Sequence, residues 1–147
     1  MCVLRARGTD FDVDRYLSAS SIPSINVYRR GEPRLPASRP DGAKHAGSGF
    51  NAEVSTAAWD DLPGQIEDAR HFLARHKTDL ERLRTFPGLE QLTLDFPTHL
   101  RIGTNEVVVQ TDRFPADILL AAGALGIELA LTIWPRPTDR SGSEGNG

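Results

Sequence analysis

The stretch Phe114–Trp134, FPADILLAAGALGIELALTIW, predicts a helix that leads directly into a strand. Its first half places four apolar residues on one face of a helix: Ile118, Leu119, Ala122 and Leu125. Gly126 then ends the helix, because glycine readily adopts the positive φ that helix C-termini often need. The second half alternates with a period of two, which is typical of a half-buried strand. A helix followed by such a strand indicates a mixed fold.

The same alternation predicts further strands along the chain. Short runs with one apolar and one polar face occur at residues 2–7, 25–28, 50–55, 92–96 and 106–111. In the last of these, Val107 and Val109 should point inward. A parallel sheet covered on both faces would show continuous apolar runs instead. We therefore expect an α+β fold, with a mostly antiparallel sheet and helices on one face, as a two-layer sandwich.

The longest predicted helix runs from Asp61 to Arg84. Its apolar residues recur in alternating steps of three and four, which makes one continuous core-facing stripe through Leu73 and Leu80. Two strand-helix-strand (βαβ) units flank this helix, at residues 3–28 and 107–134. Each unit should place its two strands parallel. Their similar length raises the hypothesis of internal pseudo-symmetry.

Proline and glycine interrupt the pattern between residues 29 and 48, which predicts a long irregular loop. Loops of this length inside a compact domain are usually functional or disordered. After Pro135 the chain contains no apolar residue, so we expect a disordered tail over residues 136–147. Residues 1–135 are then long enough to form a single α+β domain with its own core.

Composition and charge exclude several classes of protein. Cys2 is the single cysteine, which rules out an internal disulfide and a multi-cysteine zinc site. No apolar run reaches the roughly 18 residues of a membrane span. Because no basic segment precedes an apolar run near the first residue, we expect a cytoplasmic protein without a secretory signal. The net charge of −3 does not favour nucleic acid as a partner.

No signature of catalysis or metal binding is present. His71 and His76 are five residues apart, whereas two ligands on one helix face need a spacing of three or four. His45 and His99 fall in predicted loops. Cys2 alternates in step with the apolar residues of the first strand, which indicates a small core residue rather than a nucleophile. We therefore expect no catalytic residue, no cofactor and no metal.

Positive charge is concentrated in the loop between Tyr28 and His45. This loop carries five basic and two acidic residues, a net of +3, so the rest of the chain carries −6. Such a patch favours an acidic partner protein, because complementary charge steers association. A solvated loop without a binding role is the alternative. The expected partner-binding residues are Arg29, Arg30, Glu32, Arg34 and Arg39.

Three short motifs follow one another in the chain: Arg30-Gly31-Glu32-Pro33, then Gly49-Phe50 at a strand start, and Leu125-Gly126-Ile127 before the final strand. This order resembles a widespread bacterial family of small proteins catalogued as a domain of unknown function. The resemblance covers most of residues 2–134, although the family often has Trp where this chain has Phe50. It implies an α+β fold without an established activity. Some members of the family look like immunity proteins encoded beside bacterial toxins.

These observations favour a non-catalytic protein-binding module, one form of which is an immunity protein that neutralises a bacterial toxin encoded nearby. Two alternatives stay open. A small-molecule binding or sensing domain would need a deep apolar pocket with convergent polar groups. An enzyme with an unrecognised site would need, in such a pocket, titratable groups with strongly shifted pKa values.

Overall fold

The computed structural model describes residues 1–103 and 106–137 and shows an α+β fold. In chain order its elements are β1 (Cys2–Gly8), α1 (Val13–Leu17), β2 (Ser24–Tyr28), β3 (Pro33–Leu35), β4 (Arg39–Lys44), β5 (Ser48–Ser55), α2 (Leu62–Arg75), α3 (Lys77–Arg84), β6 (Gln91–His99), α4 (Ala116–Ala124) and β7 (Glu128–Trp134). The predicted tail lies outside the described residues from residue 138 onward. Within the described ranges, no helix has the length and apolar content that crossing a membrane requires.

Five strands form the main sheet in the order β2-β5-β1-β6-β7. All neighbours are antiparallel except β6 and β7, which confirms the predicted mostly antiparallel sheet. Strands β1, β2, β5 and β6 with their helices follow the β-α-β-β-α-β order of ferredoxin-like proteins. In that arrangement β5 lies between the parallel strands β1 and β2. Likewise, β1 lies between the parallel strands β5 and β6. Helix α4 and strand β7 extend the sheet beyond β6.

Helices cover one face of this sheet, as predicted. Along β1, Leu4 and Ala6 are fully buried under the helices while Arg5 and Arg7 are exposed on the other face. The two buried positions alternate with the two exposed ones because successive side chains of a strand point to opposite faces. Thr93 of β6 is buried although it alternates with the apolar residues Leu92 and Leu94, and its hydroxyl donates to Glu128 at 3.2 Å. The uncovered side is called the open face below.

The predicted strand over residues 106–111 is wrong. These residues are coil, and Val109, predicted to point inward, is 72% exposed. Valine favours strands, but β6 already pairs with β1 on one side and β7 on the other, so no edge beside it is free. The last βαβ unit therefore begins with β6 rather than with residue 107. The first unit, β1-α1-β2, has the parallel strands that were predicted.

The prediction of one continuous helix from Asp61 to Arg84 is also wrong, because the chain leaves the helix at His76. Its φ of −104° and ψ of 19° lie far from α-helical values and separate α2 from α3. The apolar stripe continues across the break, and Leu73 and Leu80 are both buried as predicted. Ser21 contacts the break, with its Oγ 3.3 Å from Nδ1 of His76. Such a long-range contact leaves no periodic signal in the local sequence.

Residues 29–48 are not wholly irregular, because β3 and β4 pair as an antiparallel hairpin. Pro33 and Pro40 lie within these strands, which is tolerated because both strands of a two-stranded sheet are edges. Main-chain bonds close the root of the hairpin: the N–H of Gly31 donates to the carbonyl of His45, and the N–H of His45 donates to the carbonyl of Glu32, each at 2.9 Å.

Candidate functional site

The hairpin β3–β4 extends from the end of the sheet where β1 and β2 finish. At this end Gly8 pairs with Ser48 and Tyr28 pairs with Gly49. Most hairpin residues are exposed, including the large apolar side chain of Leu35. The hairpin therefore stands in solvent beside the open face and is joined to the sheet mainly at its root.

Arg29 and Arg30 hold this root against the α1 region. Nε and Nη2 of Arg29 donate to the two carboxylate oxygens of Asp14, both at 2.7 Å, and Nη1 of Arg29 lies 3.5 Å from Glu32. These hydrogen bonds from Arg29 hold the pKa of Asp14 below its usual range. Arg30 lies 3.2 Å from Asp10. Exposed pairs of this kind contribute little to stability, so a partner could displace them at small cost.

Arg34 and Arg39 differ from this pair, because neither has an ion-pair partner in the described part of the chain. Lys44 on the same hairpin is likewise unpaired among these residues. The structure thus divides the five predicted partner-binding residues into two groups. Arg29, Arg30 and Glu32 fasten the root, while Arg34 and Arg39 carry unpaired charge on the hairpin itself.

A cleft of about 460 Å³ opens between the hairpin and the end of the sheet. Tyr28 and His45 form one wall, with their rings stacked at a centroid distance of 4.6 Å and an interplanar angle of 26°. Burial raises the pKa of the Tyr28 hydroxyl. Arg7 and Arg34 line the cleft, and Arg7 also has no ion-pair partner within the described ranges. Two arginines beside an aromatic stack can bind a carboxylate through their planar forks.

Glu90 is the acidic group of this cleft. Its carboxylate accepts the main-chain N–H of Thr9 at 3.0 Å, which lowers the pKa of Glu90. Glu90 thus remains charged at neutral pH and joins the β1–α1 turn to the start of β6. The cleft keeps a net positive lining, because Arg7 and Arg34 outnumber this single carboxylate.

A second cavity of about 370 Å³ continues along the open face and shares Arg7 and Tyr28 with the first. Arg5 and Asp95 form an ion pair at 3.1 Å in its wall, and the Thr132 hydroxyl donates to Asp95 at 2.6 Å. Together the two cavities form one shallow polar groove. They provide no deep apolar pocket of the kind that the small-molecule alternative requires.

Glycines cluster at this end of the sheet for a reason unrelated to ligands. A methyl group at Gly8 would overlap the carbonyl oxygen of Gly88, and one at Gly47 would lie 2.7 Å from the carbonyl oxygen of Gly8. Main chain packs directly on main chain at these positions. The glycines therefore bring the hairpin root, the end of β1 and the start of β6 together, and the cleft forms over that junction.

The histidines and the cysteine do not converge. No group of three or more His, Cys, Asp or Glu side chains is placed to hold a metal ion among residues 1–103 and 106–137. Cys2 is fully buried, and burial raises the pKa of its thiol to about 12. The thiolate that nucleophilic chemistry needs is therefore strongly disfavoured at neutral pH.

The sequence reasoning did not find Arg7, the Tyr28–His45 stack or Glu90. Arg7 could have been found, because it occupies an outward position in the alternation of β1 beside Arg5. The stack could not, because it depends on the hairpin bringing His45 back to the end of β2. No family model, curated protein or solved structure matches this chain. The family resemblance therefore remains a prediction.

Proposed function

We propose that this protein is a non-catalytic protein-binding module that uses the β3–β4 hairpin and the adjoining cleft to bind an acidic partner. The observation that supports the proposal is the hairpin itself. A two-stranded hairpin is at best marginally stable alone in water. This hairpin is exposed along both strands and adds little to the core. A recognition role accounts for an ordered, solvent-facing element of this kind.

Charge favours a partner rich in carboxylates. Arg34, Arg39 and Lys44 on the hairpin and Arg7 in the cleft are basic groups without ion-pair partners among the described residues. Asp41 lies on the same hairpin and Glu90 lines the cleft, so basic groups outnumber acidic ones there. Unpaired arginines lose little on binding, because they have no internal ion pair to give up. Complementary charge also raises the rate of association.

The shape of the cleft favours a protein surface over an enclosed small molecule. The groove is open and polar, whereas small-molecule sites are usually concave and mostly apolar. A side chain projecting from a partner can enter such a groove while the hairpin contacts the surface around it. Within this proposal the partner is a toxin encoded nearby, as the family resemblance implies, and binding takes place in the cytoplasm.

Charge reversal on the hairpin tests the proposal. The product of the adjacent gene is co-purified with the wild type, and association rates are measured at low and high salt. Arg34→Glu combined with Arg39→Glu should slow association about tenfold or more and weaken its salt dependence. The matched control is Arg75→Glu with Arg113→Glu, which reverses two exposed arginines away from the hairpin.

Three results would contradict the proposal. They are the absence of a complex, a hairpin double variant that binds like the wild type, and a control that slows association equally. Circular dichroism should show an unchanged fold in all variants, because surface substitutions usually shift stability by about 0.5 kcal/mol or less.

Arg29→Glu with Arg30→Glu should also slow association. It is the less selective variant, because it places new carboxylates beside Asp14 and Asp10.

A further inference from the structure

Strand β7 leaves one of its edges without a partner in the described structure. The carbonyl of Trp134 accepts the N–H of Leu100, which directly follows β6, at 2.8 Å. The main chain of Trp134 therefore points toward β6. Because main-chain direction alternates along a strand, the N–H and C=O groups of Leu129, Leu131 and Ile133 point outward to the free edge.

The opposite edge of the sheet is protected in a way that β7 is not. Strand β2 pairs with β5 irregularly, with a register shift between Ser24 and Asn26. Natural proteins blunt exposed edges with such irregularities, with lysine or with proline. Strand β7 pairs with β6 in an unbroken register over all seven residues and contains neither lysine nor proline. An unblunted apolar edge is a template for another strand.

The residue order of β7 is complementary to itself. In an antiparallel pairing centred on Leu131, that residue meets its own copy, and Leu129 meets Ile133 on both sides of the axis. These are the three residues whose main-chain groups point outward, so the pairing would form about six main-chain hydrogen bonds, two per residue pair. Their side chains all lie on the helix-covered face. Apolar side chains would thus meet apolar side chains across the two-fold axis.

Helix α4 adds apolar surface beside this edge. Asp117 pairs with Arg70 of α2 and so marks the side of α4 that faces α2. Leu119 lies two residues further, about 200° around the helix, and therefore on the side turned away from α2. Leu119 is 49% exposed and Leu120 is 74% exposed. Among the described residues, nothing lies within 4 Å of the position that a Cβ on Gly123 would take, so these residues leave the same side of the helix open.

Charge is compatible with a second copy at this surface. Glu128 is the single charged residue of β7, and it accepts a hydrogen bond from Thr93. Asp117, the single charged residue of α4, is paired with Arg70. Two copies would meet without like-charge repulsion. An acidic partner of the kind proposed for the hairpin would find no basic group on β7 or α4, so this surface is independent of that function.

We propose that two copies of this chain associate through β7, antiparallel about Leu131, so that their five-stranded sheets become one continuous sheet. Leu119 of each copy borders the joint and is covered by the other copy. The dimer leaves both hairpins free at outer positions, because the hairpin follows β2 at the other edge of the sheet.

Matched substitutions on the two edges test this proposal. Ile133 on β7 is 50% exposed and Ile25 on β2 is 55% exposed. Sedimentation velocity over about a hundredfold range of protein concentration should show a monomer–dimer equilibrium for the wild type. Ile133→Lys should weaken the dimer by about a hundredfold, because each interface would gain two charges in an apolar contact. Ile25→Lys should dimerise like the wild type.

Disulfide trapping tests the register. Paired residues at the axis would have Cα atoms about 5.5 Å apart, within the range of disulfides. Cys2 is buried, so Leu131→Cys should cross-link rapidly under mild oxidation, whereas Leu35→Cys on the exposed hairpin should not. A wild type that is monomeric throughout, an Ile25→Lys variant as weakened as Ile133→Lys, or equal cross-linking of the two cysteine variants would overturn the proposal.

Discussion

The first and last βαβ units of the molecule have the same order of elements but bury very different surfaces. Helix α1 has only five residues, yet Tyr16 is fully buried and stacks on Phe50 at a centroid distance of 5.7 Å. Phe86 meets the Tyr16 ring edge-on at 5.4 Å. The Tyr16 hydroxyl donates to the carbonyl of Asp79 at 2.8 Å. The first unit, β1-α1-β2, therefore packs around an aromatic cluster of Tyr16, Phe50 and Phe86, and it is called the closed unit below.

The last unit, β6-α4-β7, is longer and leaves more of its helix exposed, and it is called the open unit below. Helix α4 has nine residues, of which Ile118 and Ala122 are buried while Leu119 and Leu120 face solvent. Leu129 and Leu131 of β7 are only half-buried. The longer helix therefore leaves more of its apolar side chains exposed than the shorter one does.

The difference shows that the length of a helix does not decide how much of its apolar surface is buried. Helix α3 packs beside α1 and supplies Leu80, Leu83 and Arg82. The guanidinium of Arg82 lies 4.6 Å from the centre of the Tyr16 ring and donates to the carbonyls of Tyr16 and Ala19. Helix α4 has such neighbours on one side only: Arg70 of α2 pairs with Asp117, and Nη1 of Arg84 at the end of α3 donates to the carbonyl of Ala124 at 2.6 Å. Its other side carries the exposed Leu119. The open side of the last unit is where the structure leaves room for another chain.

The largest expected effect lies in the closed unit. Leu80→Ala should lower the free energy of unfolding by about 2–5 kcal/mol, because it removes a fully buried side chain and leaves a cavity. Urea denaturation measures the loss. A decrease below about 0.5 kcal/mol, the usual value for a surface site, would show that α3 does not support the closed unit.

A smaller loss is expected for Arg82→Ala. This change removes two hydrogen bonds to main-chain carbonyls and the contact with the Tyr16 ring, which together should contribute about 1–2 kcal/mol. Urea denaturation of Arg82→Ala is compared with that of Arg113→Ala, which removes an exposed arginine in coil. The comparison separates the contacts made by Arg82 from the mere loss of a positive charge. Equal melting of the two variants would contradict the assigned role.

The pH dependence of stability should be smaller again. Burial lowers the pKa of His76, and the charge of Arg75 acts in the same direction while Asp79 opposes it. The unfolded chain, in which a histidine has a pKa of about 6.5, then binds a proton before the folded one does. This contribution to stability is complete above pH ~6.5 and is lost as the pH falls through the folded pKa.

Urea midpoints measured at neutral pH and in mild acid check this expectation. The wild type should be less stable in mild acid, and His76→Gln should reduce the difference. Asp79 also has a lowered pKa, through hydrogen bonds from Ser21, but its effect belongs to more acidic conditions, near the ordinary pKa of a carboxylate. A His76→Gln variant with the full wild-type pH dependence would assign the effect to another group.

The smallest effect is expected in the open unit. Leu120→Ala removes the same side chain as Leu80→Ala, but from a position that is 74% exposed. At protein concentrations low enough to keep the chain monomeric, its free energy of unfolding should stay within about 0.5 kcal/mol of the wild type. A loss approaching that of Leu80→Ala would mean that α4 is covered within a single chain, and the contrast between the two units would fail.

Local pattern was enough to predict the main sheet, its covered face and the α4–β7 segment. The alternation in β1 and β5 and the helical spacing of Ile118, Ala122 and Leu125 reflect burial directly. The placement of Leu119 on that same helix face is wrong, because its side chain is 49% exposed. The break at His76 escaped prediction because it accompanies a contact with Ser21, fifty-five residues away. The valines at 107–109 were misassigned because strand propensity does not reveal whether a neighbouring edge is free.

The candidate site was harder to predict than the fold. The charge of the hairpin could be read from the sequence, but not which arginines have partners. Arg29 is fifteen residues from Asp14, and Arg30 is twenty residues from Asp10. Both pairs exist only because the first βαβ unit brings the hairpin root beside α1. Arg34 and Arg39 lie in β3 and β4 themselves, where no acidic side chain of the described residues forms an ion pair with them.

The central position of β1 has a consequence for the order of folding. Its two neighbours are β5, more than forty residues later, and β6, more than eighty residues later. During synthesis, β1 cannot complete its pairing with β6 until Asp95 has left the ribosome. Sheets dominated by such distant pairings fold on a timescale of about milliseconds to seconds. Until then the apolar side of β1 is exposed, and chaperones can bind the nascent chain there.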